Sequence, residues 1–137
     1  MTLYGKSVDA IECKHGFIWR FNTARYTVAC WAEEEDMSPR DSFEFDDDVA
    51  FASTGDPSHW FCVFVGVFKG EDDDNSELIG YDCLGGCSYN SFREFVGNRS
   101  GWRAGIKLLT RGYFPDMVRQ ALGEARAHEI RNQFGAA

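Results

Sequence analysis

The run His59-Trp60-Phe61-Cys62-Val63-Phe64-Val65-Gly66-Val67-Phe68-Lys69 decides the fold. It is nearly continuous in apolar residues, and β-branched and aromatic side chains dominate it. At this length such a composition favours a central strand buried on both faces over a helix. The chain that follows, Gly70-Glu71-Asp72-Asp73-Asp74-Asn75-Ser76, is a charged hairpin tip. Residues 77–84 then return as the pairing strand.

Working outward toward the N-terminus, residues 24–32 read as a strand with Tyr26, Val28, Cys30 and Ala32 on one face. Arg25, Thr27 and Trp31 lie on the other. Residues 8–14 and 16–21 read as a hairpin around Lys14-His15-Gly16, with Phe17, Trp19 and Phe21 sharing a face by the two-residue period of a strand. The short connections demand antiparallel pairing. Residues 33–58 interrupt this pattern. Glu33-Glu34-Glu35-Asp36, Ser38-Pro39-Arg40-Asp41 and Phe43-Glu44-Phe45-Asp46-Asp47-Asp48 offer little to bury, and Gly55-Asp56-Pro57 adds a second break. This segment is expected to be an acidic loop region with a short edge strand, not a separate domain.

Toward the C-terminus, Ser91-Phe92-Arg93-Glu94 has the spacing of a capping box and predicts a short helix over 92–96. Pro115 suits a first helical position. A long helix over 116–132 then carries an apolar stripe of Val118, Ala121, Leu122 and Ala125. The expected architecture is a single α+β domain over 1–137. It has an antiparallel sheet of about five strands, a short helix and a long C-terminal helix packed on one face.

Composition supports a real core. Of 137 residues 44% are hydrophobic and 15% aromatic, too many for a disordered acidic chain. The formal charge of −8 is unevenly spread. Residues 1–92 hold 18 acids and 6 bases, whereas 93–137 hold 4 acids and 8 bases. An acidic surface of this strength repels phosphate backbones, which argues against nucleic-acid binding through it. The basic residues Arg99, Arg103, Lys107, Arg111, Arg119, Arg126 and Arg131 are expected to pair with the chain's own excess of carboxylates. The five cysteines, an odd number set mostly in apolar runs, read as reduced thiols packed as small hydrophobes. No secretory pattern opens the chain and no apolar stretch approaches the ~20 residues of a membrane helix. A cytoplasmic protein is therefore expected.

Catalytic signatures are lacking. There is no Gly-x-Ser-x-Gly turn, Walker-type phosphate loop or paired His-Glu helix motif, and the expectation is of a non-enzyme with no cofactor. Asp72-x-Asp74-x-Ser76 opens like a calcium loop, but Glu77 and Cys83 stand where glycine and the closing glutamate belong. Cys83 and Cys87 flank Gly85-Gly86, which reads as a tight turn; none of His15, His59 and His128 is paired at metal spacing. What remains is the acidic segment. On an extended strand Glu44, Asp46 and Asp48 would form a row of carboxylates roughly 6.6–6.8 Å apart, close to the spacing of successive phosphates along one nucleic-acid strand. The candidate partner-binding set is Glu33, Glu34, Glu35, Asp36, Glu44, Asp46, Asp47 and Asp48.

Two further stretches carry a resemblance. These are Leu84-Gly85-Gly86-Cys87-Ser88-Tyr89-Asn90-Ser91, within 78–95, and Tyr113-Phe114-Pro115-Asp116-Met117-Val118-Arg119, within 112–126. Together they resemble a family of small uncharacterised proteins encoded by bacteriophages and mobile elements. The resemblance implies an accessory protein acting inside bacteria and brings no catalytic residues with it. Small acidic proteins of that context are often inhibitors of host defences, of anti-CRISPR or anti-restriction type. The expected partner is then a host protein or ribonucleoprotein with a basic groove. The alternatives are a nucleic-acid-binding module using the basic C-terminal segment, with Trp102 or Tyr113 for stacking, and a sponge for a nucleotide signal.

Overall fold

A computed structural model describes residues 3–97, 102–103, 106–107 and 112–134. The apolar run quoted above forms β3 (Phe61–Gly70), an interior strand of a four-stranded antiparallel sheet ordered β1-β2-β3-β4. β1 spans Phe17–Asn22, β2 Tyr26–Glu33 and β4 Ser76–Cys87. β4 therefore runs on past residue 84, and the Gly85-Gly86 pair makes no chain reversal. Instead Gly86 adopts φ +66 within a register shift opposite Phe61–Val63, a conformation that glycine reaches without steric cost.

The sheet has four strands, not about five, because residues 8–14 do not pair as a strand. They make a 3-10 turn at Val8–Ala10. Val8 and Ile11 are three apart, the spacing of a tight helical turn rather than of a strand. Both are buried against Ala29, Trp31, Phe68 and Leu78. The segment is fastened to β4 by Gly5 N donating to Leu78 O (3.0 Å) and Leu78 N to Lys6 O (2.8 Å). The N-terminal segment thus covers one face of the sheet.

The other face carries the larger core. In β2–β3 the pairs Val28↔Val67, Cys30↔Val65 and Ala32↔Val63 all point to this side. It is capped by α3 (Phe92–Gly97) and α4 (Phe114–Phe134) through Phe95, Phe114, Met117, Ala121 and Ala125. The long helix therefore lies on one face of the sheet, as its stripe predicts. Its approach is so close that a Cβ on Gly80 would stand 2.4 Å from Ala121 O and 2.5 Å from Ala125 N. Farther along, Glu129 accepts from Tyr26 Oη and from Lys69 Nζ (2.8 Å) and faces Arg25 (3.5 Å), tying α4 to β2 and β3. These donors, Lys69 first, hold the Glu129 carboxyl below its usual range.

Two expectations about local pattern change. Phe17 and Trp19 do not share a face. A register shift between them puts Phe17 against Trp31 on the N-terminal side and Trp19 against Phe114 on the helix side. One extra residue in a strand reverses the alternation beyond it. At α3, Ser91 Oγ accepts from Glu94 N (3.1 Å), but the Glu94 carboxylate accepts from Asn90 Nδ2 (3.0 Å). Only half of the reciprocal capping box forms. A two-residue pairing of β5 (Trp102–Arg103) with β6 (Ile106–Lys107) lies between α3 and α4 in the chain.

Residues 34–58 hold no strand. They form α1 (Pro39–Ser42), α2 (Asp46–Ala52) and a 3-10 turn at Pro57–His59. Pro39 and Pro57 occupy first-turn positions, where a missing N–H costs nothing. Asp56 caps the last turn by accepting from Ser58 N (3.0 Å).

Candidate functional site

Glu33 is the last residue of β2, and from there the chain leaves the sheet as an acidic face. Glu34 meets Lys14 at 3.3 Å with both side chains mostly in water, an arrangement worth little. Glu35 is different. Its Oε2 accepts from Gly86 N (2.7 Å) and its Oε1 from Met37 N (3.1 Å). This half-buried carboxylate is a clasp that binds the start of the excursion to β4, so it is spent on the fold. Asp36 returns to the surface.

The expected row of carboxylates at Glu44, Asp46 and Asp48 is not formed. Asp46, Asp47 and Asp48 are the first turn of α2, where negative side chains are favoured by the free N–H groups and the positive end of the helix. Side chains in a helical turn fan out at about 100° per residue, so they cannot repeat a phosphate spacing along one line. Arg40 reaches Asp46 at 2.8 Å, again in water. Of the eight predicted residues seven are exposed and one, Glu35, is not.

Sequence reasoning missed the apolar side chains inside this acidic segment. Met37 is 40% exposed and Phe45 67% exposed. Phe43 packs its ring 5.6 Å from that of Trp60, and Trp60 Nε1 donates to Met37 O (2.8 Å). None of Met37, Phe43, Phe45 and Trp60 belongs to either core cluster. Met37, Phe43 and Trp60 make a separate ledge beside the sheet, and Phe45 stands exposed two residues beyond Phe43, with carboxylates before, between and after these residues in the chain. The alternation Phe43-Glu44-Phe45-Asp46 is the available signal, and on its own it carries the two-residue period of a strand.

A cleft of about 430 Å³ opens beside the exit of β2. Lys14, Glu34, Glu35, Asp56, Trp60 and Phe92 are among its walls; neither Glu44 nor any of Asp46, Asp47 and Asp48 lines it. His59 stands nearby in a hydroxyl–imidazole–carboxylate sequence, with Nδ1 2.7 Å from Thr54 Oγ1 and Nε2 3.6 Å from Asp56 Oδ2. Nδ1 also lies 3.1 Å from Phe51 O. A carbonyl can only accept, so Nδ1 carries the proton and cannot take one from Thr54. Asp56 is engaged by Ser58 N and Oγ. The group latches a turn and does not activate a nucleophile.

At the hairpin tip the acids are partly spent on the chain itself. Asp72 accepts from Asn75 N (2.8 Å), and Arg20 forks onto Asp73, which holds that carboxyl low. Asp9 is pushed up by a shared hydrogen bond with Asp74. Among the described residues no three His, Cys, Asp or Glu side chains converge as metal ligands. Burial pushes the Cys30 and Cys87 thiols up to about 12 and Cys62 to about 11, away from reactive thiolate.

The expected neutralisation of the acidic two thirds by C-terminal arginines does not occur among the described residues. Arg119 pairs locally with Asp116 at 3.0 Å, and the one ion-paired cluster across the two segments runs the other way, from Arg25 and Lys69 to Glu129. Arg99 and Arg111 lie outside the described residues, as do the side chains of Arg103 and Lys107. Among the described residues no helix is long and apolar enough to cross a membrane. Compared with protein-family models, with curated proteins and with solved structures, the chain matches none.

Proposed function

We propose that this chain is a non-enzymatic binding protein that occupies a basic, nucleic-acid-binding groove of a partner through its 33–48 face. In the setting implied by the resemblance, the partner is a host defence complex of CRISPR or restriction type, met inside the bacterial cell. The observation that carries the reading is the concentration of exposed charge. Residues 33–48 hold nine carboxylates against one arginine, and Glu33, Glu34, Asp36, Glu44, Asp46, Asp47 and Asp48 are all exposed. Such a face supplies the field and the counterion release that a groove built for phosphates responds to. It does so as a patch of charge, without copying phosphate spacing.

The alternatives have less behind them. A sponge for a nucleotide signal needs cations around a pocket, whereas the cleft beside β2 is lined by Glu33, Glu34, Glu35 and Asp56 with Lys14 and, among the described residues, no arginine. A nucleic-acid-binding module would have to present its basic residues against the field of the whole acidic domain.

The test is inhibition of target-DNA cleavage by a purified CRISPR effector ribonucleoprotein, titrated with the chain at several salt concentrations. Binding is expected to weaken steeply with salt, and the combined variant E44Q/D46N/D47N/D48N to lose at least about tenfold in affinity. Inhibition that survives this neutralisation intact would reject the mechanism.

A further inference from the structure

We infer that the acidic face seats an apolar side chain or pocket of its partner on the ledge of Met37, Phe43 and Trp60 and on the exposed Phe45 that follows it in the chain, so that the partner is a protein surface bearing lysine and arginine around an apolar centre. The inference rests on the reading of residues 33–48 as the docking face and adds what the charges alone do not supply. Phe45 is 67% exposed and Met37 40%, two of the seven large apolar side chains exposed among the described residues, and these two lie inside the acidic segment. Phe45 immediately precedes the three aspartates of α2, and Met37 immediately follows Asp36. Aromatic residues and methionine at the centre with charges at the rim is the composition of a protein-binding patch.

Charge decides among occupants. Nucleic acid and anionic lipid both carry the sign of the rim and are repelled by it. A second copy would bring a net charge of −8 from its own 33–48 segment against the same charge on the first. A cationic protein surface is the occupant whose charge complements the face. The ledge is also held in place before binding, since Trp60 Nε1 donates to Met37 O and Glu35 clasps Met37 N and Gly86 N. Preorganised side chains lose less freedom on association.

The two parts of the face then divide the work. The carboxylates set the association rate and its salt dependence, and the ledge sets how long the complex lasts. The experiment uses two synthetic peptides of equal charge, one alternating arginine with leucine and one alternating arginine with glycine, titrated by calorimetry at physiological salt. The wild-type chain is expected to bind the arginine–leucine peptide at least about fivefold more tightly. Phe45→Ala should remove that preference while retaining binding of the arginine–glycine peptide, and Met37→Ala should reduce it. Phe45 packs in neither core, and an unchanged circular dichroism melt will confirm that F45A is folded.

Equal affinity of wild type for the two peptides, or an unchanged preference in F45A, overturns the ledge. If D46N/D47N/D48N still weakens both peptides in that case, the acidic reading stands without it. If neutralisation of the aspartates leaves both affinities unchanged, the acidic reading itself fails.

Discussion

Between β2 and β3 the chain leaves a sheet in which Ala29, Val63 and Val65 are fully buried and travels 27 residues, 34–60, in which only Ala52 and Ser58 are buried. The two regions obey different rules. The sheet is held by apolar area removed from water on both faces, a cooperative and non-local term. The excursion is held one short piece at a time, by prolines at helix starts, by Asp56 capping its turn, by the latch at His59 and by the clasp of Glu35. A region built this way can carry eight exposed carboxylates without weakening the core, because its own shape does not depend on burying them. That is the arrangement a binding face requires.

The comparison is broken most severely from the sheet side. Trp31 is 1% exposed and its ring contacts those of Phe17, Phe64 and Phe68. Trp31→Ala is expected to cost about 4 kcal/mol in denaturant unfolding. A cost below about 1 kcal/mol would mean that the N-terminal segment does not cover that face. Gly80→Ala comes next, at about 3 kcal/mol, because the added methyl meets the backbone of α4 and backbone must move to admit it.

At an intermediate level two carboxylates test the fastenings of each region. Glu129→Gln should cost about 1–2 kcal/mol by loosening α4 from Lys69 and Tyr26. Because the folded Glu129 carboxyl is held below the ordinary glutamate value of about 4.5, its contribution is complete above that pH and is lost as the pH falls through the lowered value. Wild type and E129Q should therefore converge in stability in acid and diverge toward neutrality. Glu35→Ala should cost a similar amount, about 1–2 kcal/mol, yet show itself locally. Limited proteolysis is expected to cut within 36–45 while the rest of the domain stays resistant, and uniform loss of resistance would show that the excursion is not an independent layer.

The smallest structural effect belongs to the acids of α2. D46N/D47N/D48N should leave the melting temperature within about 3 °C of wild type, since each aspartate contributes only a weak, salt-screened interaction with the helix end. A larger loss would contradict the contrast between a proposed binding face and a core that folds.

Much of the sheet was legible in the sequence. The run from Trp60 to Phe68, the charged tip between β3 and β4, the face shared by Tyr26, Val28, Cys30 and Ala32, and the helix after Pro115 all follow from local pattern, because burial imposes the period of the element on the side chains it takes up. The acidic stretch at 33–48 was equally plain as composition. Its form was not. Phe43-Glu44-Phe45-Asp46 alternates like a strand, but no neighbouring strand is there to accept it, and three aspartates in succession find better partners at the start of a helix.

Only the tertiary structure decided which carboxylates are free and which side chains face which way. Glu35 looks like its neighbours until Gly86, 51 residues away, donates to it. Phe17 and Trp19 look alike until a single register shift sends them to opposite faces of the sheet. Met37 and Phe45 look like ordinary core residues until the sheet fills without them. The sequence by itself determined the period of its elements and where its charge is concentrated, since both are properties of neighbouring residues. The spending of one acid on the fold and the stranding of two apolar side chains on the surface depend on contacts between distant segments, and no local pattern encodes those.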